Sequence, residues 1–254
     1  MKKILITGSS GLIGKLIYKN LKSKYSFIGL DKYDTSENNG LKTQLIKSNQ
    51  IECFSNSLKG IDTVIHLAAS VSTSSEWDEV LYNNIELTKN IYEASRLNKV
   101  SRIIFASSNH AVGNFENDEP YKSIVKGKYE GIDPKKIKKI NHNVSIRPDS
   151  YYGISKAFGE STARYYYEHH NIESVCLRIG TVNKENSPLS DIRYFATLLY
   201  HEDLIQLIEK SISLENIGFK IFYGVSDNKW NFWDLSYSEN ILGYKPKRNT
   251  ENER

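Results

Sequence analysis

Short runs of apolar residues alternate along this chain with longer stretches whose apolar positions recur at helical spacing. The runs are KILIT (3–7), SFIGLD (26–31), DTVIHLA (62–68), SRIIFAS (101–107) and ESVCLRI (173–179). The periodic stretches fall at about 12–23, 77–97 and 152–169. Strands buried on both faces read as near-continuous apolar runs, and parallel neighbours need crossover helices that bury an apolar stripe on the sheet. The alternation therefore predicts an α/β class, a doubly wound parallel sheet with helices on both faces. Residues 114–147 interrupt it: they are rich in lysine, contain Pro120, Gly127, Gly131 and Pro134, and read as an excursion from the sheet. Beyond Gly180 the pattern loosens into a helix at about 203–211, a strand FKIFYGV and the aromatic segment NKWNFWDLSYSENILGYKPK. The expected organisation is a sheet domain over 1–180, with the insertion at about 114–147. A small region over 181–254 then caps the carboxyl edge of the sheet without being an independent domain. Its aromatics Trp230, Phe232 and Trp233 read as the core of that cap.

Composition narrows the class. Of 254 residues 39% are apolar and 25% charged, enough for one sizeable core. Two lysines precede the first apolar run, but Ile4–Ile6 is too short for the core of a signal peptide. No later run is long enough to span a bilayer. Cys53 and Cys176 lie in strand-like surroundings without metal-ligand spacing, and His142, His169, His170 and His201 show no such spacing either. The expectation is two reduced core cysteines, no metal and a cytoplasmic protein. The net charge of +4 is mild, with surplus lysine between Lys122 and Lys139. That cluster lacks interleaved aromatics and reads as a solvated loop, so no nucleic-acid partner is expected.

Three motifs carry candidate chemistry. ITGSSGLIG places Gly8, Gly11 and Gly14 between a strand and a helix. Glycines there permit a tight turn, let backbone amides approach a pyrophosphate and bring the helix N-terminus to the phosphates, the signature of a Rossmann fold. Asp31 ends the second strand, where a carboxylate accepts the ribose hydroxyls of a dinucleotide and repels a 2′-phosphate. NAD is therefore expected over NADP, with Lys32 softening the preference. SYYGISKAFGE sets Tyr152 and Lys156 one helical turn apart, so that an ammonium can favour a phenolate and lower its pKa for acid/base work. Tyr151 offers a competing frame in a chain of 17 tyrosines. In FASSNHAVG, two serines, an asparagine and a histidine end a strand at the expected cofactor crevice, with Ser107 and Ser108 opposite Tyr152.

Together TGSSGLIG, Asp31, DTVIHLAA, NNIELTKNIYEAS, FASS, YYGISKAFGE and LRIG resemble, in order, the extended short-chain dehydrogenase/reductase superfamily, the NAD-dependent epimerase/dehydratase group. That resemblance implies Ser108 polarising the reacting oxygen, Tyr152 as acid/base, and Lys156 binding the nicotinamide ribose and lowering the tyrosine pKa. It also implies Asn84 supporting the cofactor end, and Leu12, Ile13, Leu67, Ala68, Ala69 and Ile179 lining the cofactor. SSNHAVG, RPDSYYGISKAFGE, LRIGT, HEDL and WDLS…LGYKPK look more narrowly like the uronate dehydrogenase branch. The likeness implies that Ser108, Asn109 and His110 bind sugar hydroxyls, that Thr181 stands where the branch has serine, and that Ser72, or Ser70 in a shifted frame, adds another hydroxyl. Arg193 matches an arginine that pairs with the substrate carboxylate, a task suited to a bidentate guanidinium.

The expectation is an NAD-dependent dehydrogenase that oxidises the C1 hydroxyl of a hexuronate or related sugar acid to a lactone. Two rivals stand beside it: a nucleotide-sugar epimerase or dehydratase, and a non-catalytic NAD(P)-binding regulatory protein that would normally lose the tyrosine and lysine present here. The insertion is longer than the branch leads one to expect and borders the pocket. The family likeness also implies a homo-oligomer, with the helices near 77–97 and 152–169 as candidate contacts.

Overall fold

The computed structural model describes residues 1–33, 40–46 and 48–254. Strand β1 (Lys3–Thr7) leads through α1 (Leu12–Leu21) to β2 (Ser26–Asp31) and the short β3 (Thr43–Leu45). Helix α2 (Glu52–Leu58) precedes β4 (Thr63–His66). Then come α3 (Trp77–Val80), a π-helical turn at Leu81–Glu86, α4 (Leu87–Leu97) and β5 (Arg102–Ser108). A 3₁₀ segment over Asn109–Asn117 and α5 (Tyr121–Val125) open the insertion, after which α6 (Tyr151–His170) runs into β6 (Glu173–Ile179). The chain ends with α7 (Tyr194–Thr197), α8 (His201–Ser213), β7 (Phe219–Gly224) and α9 (Ser236–Leu242).

The strands form one seven-stranded sheet in the order β3-β2-β1-β4-β5-β6-β7, every described pairing parallel. Alternation along each strand divides the core. Ile4, Ile6, Ile65, Ile104 and Leu177 pack with α1 and α8 on one face. Leu5, Val64, Ile103, Phe105 and Cys176 pack with α2, α4 and α6 on the other. Both faces are covered, which is why these strands read as unbroken apolar runs. Because all strands point the same way, Thr7, Asp31, His66, Ser108 and Ile179 end at a single edge. The strand order reverses between β1 and β4, where open α/β sheets bind their ligands.

The strand FKIFYGV departs from its expected place. It is β7, the edge strand of the main sheet paired with β6, and not part of a cap. α8 likewise packs against the sheet through Leu204, Leu207 and Ile208. The cap is instead built from two segments distant in sequence. Tyr121, Ile124, Ile137 and Ile140 of the insertion form a third core with Ala196, Trp230, Phe232 and Trp233. A bridge between Ile140 and Trp233 ties them, with Ile140 N donating to Phe232 O at 2.8 Å. Cys53 also differs from expectation: it is exposed on α2, while Cys176 is buried in β6.

Candidate active site

A cleft of about 1060 Å³ opens along the carboxyl edge of the sheet. Its floor at the switch point is made by the loop after β1. Gly8 has φ +71°, and a Cβ there would meet Ala68 N at 2.8 Å, so the loops after β1 and β4 approach more closely than any side chain permits. A Cβ on Gly14 would meet Ser9 O at 2.7 Å, which lets α1 begin directly behind the turn. This bare backbone at a helix start is a cradle for a pyrophosphate. Below it, Thr7 Oγ1 accepts from Ala68 N (3.3 Å) and bonds His66 Nδ1 (2.7 Å), while His66 Nε2 bonds Thr88 Oγ1 (3.1 Å). Burial, helped by the Lys156 charge, pushes the His66 pKa down to about 3, so the ring is neutral and holds both threonines.

At one end of the cradle, Asp31 accepts from Ser10 N (2.8 Å) and from Lys32 N (2.7 Å), so its carboxylate is fixed at the tip of β2. Lys32 Nζ is bonded to Asn83 and lies 5.2 Å from the Tyr82 ring centroid. The residues at this end fit the adenosine ribose of NAD. Asn84 does not line the cleft. Buried in the π-helical turn, it accepts from Ser70 N (2.7 Å) and donates to Ser70 O and to Ser155 Oγ (both 2.9 Å). Asn84 thus clamps the loop after β4 to α6.

The other end is organised by α6. Ser150 caps it by accepting from Gly153 N (3.0 Å), and Gly159 lets it lie against β5, since a Cβ there would fall 2.1 Å from the Phe105 ring. That contact brings Tyr152 over the end of β5, where the Ser108 hydroxyl lies close enough to favour its phenolate. Lys156, one turn on, donates to Ala106 O at 2.8 Å and sits 5.3 Å from the Tyr152 ring centroid. The expected lowering of the tyrosine pKa is not what the protein alone produces. Burial pushes Tyr152 up to about 12 against the Ser108 hydroxyl, and burial pushes Lys156 down to about 7. The competing Tyr151 is half exposed, is not among the residues that line the cleft, and packs edge-on to Trp77.

Around this pair the structure gathers most of the remaining residues expected at the site. Gly11, Leu12, Ile13, Leu67, Ala69, Ser72, Ser108, Asn109, His110, Ile179, Thr181 and Arg193 all line the same cleft. His110 Nδ1 pairs with Asp149 at 2.6 Å, and its ring stands edge-on to Tyr152. Asn109 is 2% exposed and accepts from Ser108 Oγ (3.2 Å), but among the described residues its amide Nδ2 has no partner. A buried donor left open is costly unless a ligand fills it.

Three contributors were not read from the sequence. Asp149, within RPDSYYG, orients His110. Ser10 holds Asp31. Glu116, in the insertion, grips Arg193 by two 2.7 Å bonds to Nε and Nη2. Only the first two sit inside a recognisable motif. Ser107, expected to face Tyr152, donates instead to Glu160 Oε1 (2.6 Å), part of a buried pair with Arg178.

Comparison with known proteins agrees with this geometry. The NAD dependent epimerase/dehydratase family matches residues 4–188. A uronate dehydrogenase from Pseudomonas putida is 33% identical over 98% of this chain and 85% of its own length. An NAD-dependent glucose-6-phosphate dehydrogenase from Haloferax volcanii is 30% identical over 97% of this chain and 94% of its own. A mutant uronate dehydrogenase from Agrobacterium tumefaciens, solved with NAD, superposes with a TM-score of 0.82 at 28% identity, covering 99% of this chain and 87% of that one. With the glycine cradle, Asp31 and the Tyr152–Lys156 pair in one cleft and the family pattern spanning most of the sheet, the chain belongs to the NAD-dependent epimerase/dehydratase family.

Proposed function

We propose that this protein is an NAD-dependent dehydrogenase that oxidises the C1 hydroxyl of a hexuronate to the lactone. The observation that carries the proposal is the cluster of Ser108, Asn109, His110 and Tyr152 at the end of the cleft that also holds Arg193, where the buried Asn109 amide Nδ2 has no partner among the described residues. A pyranose presents the ring of hydroxyls that such a cluster of donors and acceptors takes. Arg193 then meets the carboxylate remote from C1. The uronate and the glucose-6-phosphate named for the two relatives both carry an anionic group apart from the aldehyde carbon, which supports a cation at that end.

In this reading Ser108 donates to the C1 oxygen and holds it against the Tyr152 hydroxyl. Tyr152, as phenolate, takes the C1 hydroxyl proton while the C1 hydrogen leaves as hydride. Lys156, 5.3 Å from the Tyr152 ring centroid, would hold the phenolate charge and, with NAD bound, a hydroxyl of the nicotinamide ribose. NAD, when bound, would supply the hydride acceptor and the positive charge of its nicotinamide. The products are lactone, NADH and one proton. Asn109 and His110 fix the sugar ring, so the protein supplies orientation together with the acid/base pair.

The test is NADH formation by the purified protein with NAD, on galacturonate and glucuronate beside UDP-galactose. Turnover of a uronate with stoichiometric NADH supports the reading. Conversion of the nucleotide sugar without net NADH would replace it with epimerisation. Trp77, Leu81, Tyr151 and Ile154, exposed on α3, the π turn and α6, support the expected self-association, which a light-scattering mass would check.

A further inference from the structure

Arg193 has the position expected of a carboxylate receptor, but its charge is already answered within the chain. Glu116 takes the Nε–Nη2 edge of the guanidinium with both oxygens, at 2.7 Å each. Nη1 is shared between Thr181 Oγ1 (3.3 Å) and Thr197 Oγ1 (3.4 Å). The pair is sheltered, with side chains 20% and 14% exposed, so solvent screens it weakly. Among the described residues the cleft is lined by only two other lysines or arginines. Lys32 is engaged at the Asp31 end, and Lys156 donates to Ala106 O beneath Tyr152. Asp149 and Asp191 also lie near enough to act on the Arg193 charge. The substrate end of the cleft therefore has its cation balanced by an internal carboxylate.

Glu116 comes from the first turns of the insertion and Arg193 from the N-terminus of α7, and the third core packs these two regions together through Val112, Phe115 and Ala196. The contact is thus held by fold and not by chance side-chain reach. On the reading above, which this inference extends, a uronate carboxylate must displace Glu116 from the guanidinium or share it. We propose that Glu116 is a specificity-determining residue that competes with the substrate carboxylate for Arg193, weakening the advantage of sugar acids over neutral sugars of the same shape.

The experiment compares galacturonate with its methyl ester and with galactose, in the wild-type protein and in Glu116→Gln, reading kcat and KM separately. The wild type should favour galacturonate over the ester by less than about tenfold in kcat/KM, small for a site with a dedicated arginine. Glu116→Gln should raise that ratio by about tenfold, mainly through KM for the acid, because the competing charge has gone while the amide oxygen still accepts from Arg193. Glu116→Asp, which keeps the charge, should stay near the wild-type ratio. A wild-type preference above about a hundredfold would overturn the proposal without any variant. So would a Glu116→Gln protein whose KM for galacturonate rises, since Glu116 would then be a support that positions Arg193. If the wild type oxidises none of the three sugars, the functional reading itself fails, and the proposal fails with it.

Discussion

Acid should loosen this protein through one ring, His66. It is 1% exposed at the end of β4, bonded to Thr7 and Thr88, and burial has pushed its pKa from 6.5 down to about 3. Between those two values the unfolded chain binds a proton that the folded chain refuses, so stability rises with pH across that window and is lost as pH falls through it. The loss attributable to this residue is about 2 kcal/mol at pH 5 and about 4 kcal/mol at pH 3. For a chain of this length, about 2 kcal/mol corresponds to roughly 4–8 °C in Tm. Because Thr7 Oγ1 also holds Ala68 N, the same protonation disturbs the cofactor cradle. The assay is thermal unfolding at pH 7 and pH 5 for the wild type and His66→Gln, which can bond both threonines but cannot titrate. Other acid-sensitive groups, such as Glu93 with its carboxyl pulled to about 2 chiefly by the Arg96 bond, are present in both proteins and cancel in the difference. The wild type should lose roughly 4–8 °C more than the variant. Equal losses would refute the argument and mean that His66 titrates near its ordinary value.

Tyr152→Phe should lower kcat by about 10² to 10⁴-fold while NAD binding changes little, as read by turnover and by cofactor titration. Survival of activity would assign the proton to another group. Gly8→Ala puts a Cβ 2.8 Å from Ala68 N on a left-handed backbone that costs a non-glycine residue about 1–2 kcal/mol before the collision is counted. NAD affinity, measured by fluorescence quenching, should fall at least about tenfold; an unchanged value would show that the two loops can separate without harm.

Much of the architecture was legible because chemistry and periodicity agreed locally. The glycine turn stands between KILIT and an amphipathic helix, and Tyr152 and Lys156 share one helix whose cap residue, Ser150, is adjacent. Strand β7 was harder to place. As an edge strand its residues Phe219–Ile221 are only partly buried, so FKIFYG lacks the unbroken apolar character of the central strands. Asp149 and Glu116 act through partners 39 and 77 residues away, on His110 and Arg193. No local periodicity carries that information; it exists only once the segment after β5 packs against the start of α6 and against α7. Local charge balance likewise hid the environment of Tyr152, since burial and not the neighbouring ammonium dominates its pKa in the protein alone.

The most direct test of the central claim follows the hydrogen itself. Galacturonate deuterated at C1, incubated with the protein and NAD, should deliver its deuterium to the nicotinamide, giving deuterated NADH and an equal amount of lactone by NMR. Tyr152→Phe should suppress both products together. Deuterium retained in the sugar, or appearing in solvent without NADH, would contradict direct hydride transfer from C1 and remove the dehydrogenase assignment.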